Sequence, residues 1–358
     1  MLRTSITSRE RVRLALEHQC TDRIPIAMVC SGINPPAWEA FQAFLQNERG
    51  VDAQAYLNPI LDILSIEAPY RGPVLPPGTD IWGVHRVAVS YGPGSYDEID
   101  IYPLANTTNL AEIGVYPWPD IAWFDYASLR ERIAIIQADG ERCLMIANAN
   151  PFETSWYLRG LENLLLDFSL NPELAHAILE RVTDFYVQHF CRLLEAADGQ
   201  VDLAFTADDI AGQNGLLISP MVWECFIKPC HQRINQVIHE FGVKVIYHSD
   251  GAVMAAVPGL IDMGIDVLQA LQFSAKGMHP RLLKDNYGDR LCFQGGVSVQ
   301  TTLPFGTPEQ VRQEVEDLIT ILGKNGGYIF GPSHAIQAGT PPENILALFE
   351  AALSFYPY

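Results

Sequence analysis

Cations are scarce in this 358-residue sequence: 23 Lys and Arg stand against 42 Asp and Glu, a formal net charge of -19. A surface of that sign repels phosphate backbones, which weighs against a nucleic-acid-binding protein. No apolar run reaches the ~18 residues that would suggest a membrane-spanning helix. The opening, MLRTSITSRERVRLALEH, is charged and helical in pattern and has no apolar stretch of a secretory leader. Its seven cysteines are odd in number and include no CxxC pair, so they read as scattered thiols of a reducing, cytoplasmic protein. No G-x-G-x-x-G follows the first β-like run, which weighs against a dinucleotide-binding open sheet. No repeat, low-complexity tract or linker divides the chain, and one domain over 1–358 is expected.

What is present is a 48% hydrophobic composition, ample for a large core, arranged in eight short β-like runs. They are IPIAMV (24–29), LDILSI (61–66), CLMIANA (143–149), LAFTADD (203–209), VKVIYHSD (243–250), DVLQAL (266–271), LCFQGG (291–296) and YIFGPSH (328–334). Their nearly continuous apolar cores suit parallel strands buried on both faces. Helical patterns at 35–47, 127–138, 172–197, 220–241, 252–263, 308–323 and 342–354 lie among or after them. Eight strands alternating with helices predict an α/β protein, a (β/α)₈ TIM barrel. Thr7, three residues before Glu10, marks the start of an N-terminal helical extension. Residues 67–126, rich in Pro, Gly, Trp and Tyr, interrupt the pattern after the second strand. VHRVAVSY and YDEIDIYPL can pair there as a β-hairpin around Gly92-Pro93-Gly94, in an insertion folded over the barrel mouth.

In such a barrel, the polar residues that end the strands converge on one space. The first run ends near Cys30 and Ser31, and the third at Asn148 and Asn150, with Glu153 just beyond. The fourth ends at Asp208 and Asp209, and the fifth at His248 and Asp250. Gln269 and Gln294 sit on the sixth and seventh, and the eighth ends at Ser333 and His334. His248 and Asp250, two apart on a strand, face the same side. With His334 they make an ordinary donor set for a divalent metal such as zinc, unless Asp250 caps a helix starting at Gly251-Ala252. Successive strand residues point opposite ways, so one of Asp208 and Asp209 should enter the pocket as a base or cation ligand while the other bonds the wall. Glu153 could pair with Arg159 or line the mouth. Cys30 reads as a buried thiol in preference to a metal ligand.

Several stretches carry a resemblance: RERVRLALEHQCTDRIPI, YPWPDIAWFDY, FETSWYLRG, TADDIAGQNGLLISPMVWECFIKP, YHSDG, LCFQGGVS and GPSHAIQAGTPPENILAL. Over nearly its whole length the chain resembles the uroporphyrinogen decarboxylase superfamily, closest to its cobalamin-dependent methyltransferase branch. The resemblance implies a barrel, a homodimer and one of two reactions. True decarboxylases grip tetrapyrrole carboxylates with an Arg-Gln-Ala-Gly-Arg segment after the first strand. Here that segment is CSGINPPAWEAF, without an arginine. The methyltransferases use zinc held by a His-x-Cys-Gly motif on strand five and a Cys near the end of strand eight. Here the motifs read His248-Ser249-Asp250-Gly251 and Gly331-Pro332-Ser333-His334.

The resemblance therefore favours a methyltransferase working between a small-molecule methyl donor or acceptor and a corrinoid carried by a partner protein. It implies metal ligands His248, Asp250 and His334, and catalytic carboxylates among Asp208, Asp209 and Glu153. Substrate contacts are expected from Asn150, Gln213, Gln269 and Gln294. A tetrapyrrole decarboxylase and a non-catalytic corrinoid- or tetrapyrrole-binding protein are the alternatives.

Overall fold

The computed structural model describes residues 6–355 apart from Ser31 and Pro93. Ser31, expected at the end of the first run, and Pro93, expected in the hairpin turn, lie outside the described residues. In chain order the strands are β1 (Ile63–Ile66), β2 (His85–Ser90), β3 (Ser95–Ile101), β4 (Cys143–Ala149), β5 (Leu203–Ala207), β6 (Ala211–Gly212) and β7 (Gly215–Leu216). β8 (Lys244–His248), β9 (Val267–Gln269), β10 (Cys292–Gln294) and β11 (Tyr328–Ile329) follow. Seven of them form a parallel sheet in the order β1-β4-β5-β8-β9-β10-β11.

Residues 25–27 close that sheet into a ring. The Ala27 N–H donates to the Phe330 carbonyl (2.9 Å), and the Phe330 N–H donates to that of Pro25 (2.7 Å). On the other flank the Asp62 N–H donates to Ile26 (2.8 Å). Pro25 has no N–H to give, so this first strand is pared to a bridge between its neighbours. All eight expected runs take part, and the fold is the (β/α)₈ barrel.

The barrel interior is filled by alternate residues, among them Ala27, Ile63, Met145, Leu203, Phe205, Ile246, Val267, Cys292 and Ile329. The N-terminal helix Ser8–Leu16, capped by Thr7, plugs the bottom with Val12. Its arginines lock it there: Arg9 and Arg13 reach Asp202 (2.8 and 2.6 Å), and Arg11 reaches the fully buried Asp62 (2.7 Å). With the bottom closed, chemistry is left to the opposite, C-terminal rim.

Most expected helices are present, such as Pro35–Arg49, Pro172–Ala197, Pro308–Leu322 and Pro342–Ser354. Two differences bear on the site. The helix expected from 252 begins only at Val257, so Asp250 does not cap it. Beyond β4 stand two helices, Pro151–Arg159 and Leu161–Leu170, separated by Gly160 at φ 86°. The second is missing from the sequence expectation, its mixed polarity hiding a helical period.

In the insertion, β2 and β3 pair as an antiparallel hairpin. Arg86 at its base bonds Asp80 (2.6 Å) and lies 5.0 Å from the centre of the Tyr157 ring, on the rim after β4. The Tyr96 hydroxyl reaches Gln337, on the rim after β11 (2.5 Å). The hairpin thus touches two well-separated parts of the C-terminal rim. Arg159 does not pair with Glu153 as considered above. It bonds Asp167 (2.7 Å) and the carbonyls of Leu104, Ala105 and Thr107, tying the insertion to the helix after β4. Among the described residues, no helix is long and apolar enough to cross a membrane.

Candidate active site

Period two decides which side chains enter the mouth. Ala207, Ile246, Val267 and Cys292 face the barrel interior. Two residues further along each strand come Asp209, His248, Gln269 and Gln294, the next layer towards the rim.

His248, only 6% exposed, is the centre of that layer. Its Nδ1 bonds the Gln269 Oε1, and the Gln269 amide nitrogen donates to the Ser333 carbonyl (3.4 Å). The Ser333 carbonyl takes the amide N–H, so the Gln269 oxygen is the atom turned to His248. An Nδ1–H suits that acceptor, which leaves Nε2 as the ring nitrogen facing the mouth. That Nε2 lies 3.7 Å from Asp209. The Asp209 carboxylate also accepts the Asp250 N–H (2.8 Å), so the ends of β5 and β8 are clasped together.

His334 arrives from beyond β11 because the first and last strands go on pairing past the barrel. Ile33 bridges Ile336 in parallel, the Ile336 N–H donates to Gly32 (3.0 Å), and the Asn34 N–H donates to Ile336 (2.9 Å). This register sets Cys30 Sγ 3.5 Å from His334 Nε2. The same imidazole is 3.9 Å from Asp250 and 5.7 Å, centre to centre, from the His248 ring.

Among the described residues, two donor sets result. Cys30, His248 and His334 offer atoms all within 4.8 Å of one another, and so do Asp209, His248 and Asp250. The expected trio of His248, Asp250 and His334 does not form one such set; it is divided between the two, which share His248. Cys30, read above as a buried thiol, is half-buried and meets a partner 304 residues away that only the strand register brings to it. Imidazole, carboxylate and thiol donors are the chemistry of a divalent ion such as zinc, and the bare Nε2 of a buried His248 fits one. Burial lowers the pKa of His334 and raises that of Asp250, outweighing their attraction for each other.

Asp208 goes the other way, and its expected pocket role gives way to an anchoring one. Fully buried in the wall, it accepts the N–H groups of Phe152 (3.0 Å) and Glu153 (2.7 Å) and the Nε2–H of His231 (2.6 Å). It thereby holds the N-terminus of the helix Pro151–Arg159, where a carboxylate is favoured by the helix dipole. His231 was absent from the sequence expectations; nothing on its helix distinguishes it from a core residue.

Glu153, on the first turn of that helix, accepts from the Tyr157 hydroxyl (2.9 Å) and the Asn150 amide (3.3 Å). Burial, then the charges of Asp208 and Asp209, push its carboxyl up to about 8. Asn150 is spent in the wall, its oxygen accepting from Tyr186 (3.1 Å). Gln294 is fully buried and donates to the Ala27 carbonyl (3.2 Å), while its amide oxygen has no hydrogen-bond partner among the described residues. Gln213 is exposed in the turn between β6 and β7, outside the buried layer. Of the four expected substrate contacts, Gln269 alone touches a member of the donor sets.

Residues 106–355 match the family model described as uroporphyrinogen decarboxylase (URO-D). The chain belongs to this family. Among curated URO-D relatives, the methylated-thiol–coenzyme M methyltransferase of Methanosarcina mazei is 28% identical over 65% of this chain. A uroporphyrinogen decarboxylase of Prochlorococcus marinus is 29% identical over 51%. The chain spans 61% of the length of the first and 48% of the second. A solved methyltransferase structure from Methanosarcina mazei superposes with a TM-score of 0.68 at 20% identity, covering 98% of this chain and 99% of the other. That likeness shows the fold and nothing of the reaction.

Proposed function

We propose that this URO-D family member is a metal-assisted methyltransferase that moves a methyl group between a small molecule and a corrinoid borne by a partner protein. The observation that carries the reading is the pair of donor sets converging on His248 at the barrel mouth. A metal-free decarboxylase gripping a polycarboxylate substrate has no use for such a cluster. Nor do the carboxyls of Asp209 and Asp250 suit an anionic substrate, and residues 30–41 supply no arginine to offset them. The methyltransferase relative supports the transfer chemistry, and the decarboxylase relatives keep the lyase as the competing outcome.

In this reading zinc, when bound, supplies Lewis acidity that polarises or orients the substrate's heteroatom. Gln269 holds the His248 ring in the tautomer whose Nε2 is a donor. Asp209, open to the mouth, takes the proton that an acceptor loses as it gains a methyl group. Glu153 keeps its own proton near neutral pH and so acts as a donor to the departing or bound heteroatom. Asp208 and His231 hold the helix that carries Glu153. The hairpin, resting on the rim, limits water in the mouth.

The test joins metal content to turnover. Protein purified without chelator is analysed for metals beside His248→Ala, then assayed for demethylation of methylcobalamin with small thiols, amines and phenols. Near-stoichiometric zinc that is lost in the variant, with methyl transfer, is the expected result. No metal after zinc is added back, together with decarboxylation of uroporphyrinogen, would replace this reading with the lyase.

A further inference from the structure

We propose that Cys30, on the first strand, is a thiolate ligand of the metal at His248 and His334, so that the site selects a thiophilic ion. The inference rests on the metal reading above. It goes further by choosing between the two donor sets that compete for His248.

The choice follows from placement and chemistry. Cys30 Sγ is 3.5 Å from His334 Nε2, and both are within 4.8 Å of the His248 donor atom. Backbone pairing between 32–34 and 336 enforces that approach, so it does not depend on a chance rotamer. The second observation is His248 itself. It is more than nine-tenths buried, its Nδ1 is taken by Gln269, and its Nε2 points into the cluster. The competing set offers one imidazole and two carboxylates, a hard donor set that also suits manganese or magnesium. With Cys30 the set becomes two imidazoles and a sulfur, and Asp250, 3.9 Å from His334, lies at hand as a further oxygen donor. Such a set favours zinc or cobalt(II). On binding, the thiol proton leaves to solvent and the sulfur lone pair goes to the metal.

Cobalt(II) titration of the full chain tests this without any turnover assay. In the wild type, bound cobalt should give a thiolate-to-cobalt charge-transfer band in the near ultraviolet beside the visible ligand-field bands. Cys30→Ser and Cys30→Ala should lose the charge-transfer band and keep the visible bands through His248 and His334. Their affinity should fall by more than the roughly 10–100-fold that loss of an outer hydrogen-bond partner costs. Cys225→Ser, which removes an exposed cysteine, should change neither. A charge-transfer band that survives in both Cys30 variants overturns the proposal. So does cobalt bound to the wild type, and lost in His248→Ala, without such a band; in that case the metal reading stands and the ligand choice fails. Absence of any cobalt binding removes both.

Discussion

Replacing Glu153 by Gln should make the protein's stability respond differently to alkali. The wild-type carboxyl is pushed from 4.5 to about 8, by burial first and then by Asp208 and Asp209. A carboxyl raised in the folded state holds its proton more tightly there than in the unfolded chain. Between pH 4.5 and about 8 the folded state therefore carries the extra proton, and stability falls as pH rises through that window. Below the window nothing is lost, and above it the whole penalty is present. At 1.36 kcal/mol per pH unit the ceiling is about 5 kcal/mol. Glu153 is only half-buried and shares its environment with two other acids, so a penalty on the order of 2–3 kcal/mol is expected. Gln keeps the acceptor for Tyr157 and has nothing to titrate. Urea denaturation of both proteins, at pH values spaced across the window, should show the variant gaining on the wild type as pH rises. Parallel stability curves would refute the reasoning, because they would mean that the carboxyl ionises as it does in water.

Asp208→Ala should cost about 3–5 kcal/mol, because two backbone N–H groups and His231 lose a buried acceptor together; a loss under about 1 kcal/mol in denaturant would contradict the anchoring role. Gln269→Ala should lower zinc affinity roughly 10–100-fold by freeing the His248 ring, with the melting temperature of the metal-free protein little changed; competition with a chelator of known affinity measures it, and an unchanged affinity would refute the tautomer argument. Arg86→Ala removes the Asp80 ion pair and the contact over Tyr157. It should loosen the hairpin by roughly 1 kcal/mol, seen as faster proteolytic nicking within 85–101 at unchanged global stability.

The barrel was legible in the chain because parallel strands buried on both faces are written as short apolar runs, and all eight were locatable from that signal alone. The hairpin was legible for the complementary reason, since Gly-rich turn residues stood between two alternating segments. The helix Leu161–Leu170 was not, because its residues serve the insertion as well as the core and show no clean period. Strand ends also pointed to His248, Asp209 and Gln269, which lie in one layer, since side-chain direction along a strand is a local property. Which of Asp208 and Asp209 faced inward was a parity question, and parity needs one fixed reference residue. The sequence by itself thus determined the fold and the level at which polar side chains gather. Tertiary structure alone decided which groups Asp208 meets in the wall, and that Cys30 meets His334. Those meetings depend on how elements distant in sequence are set side by side, which the closed barrel fixes and no local pattern encodes.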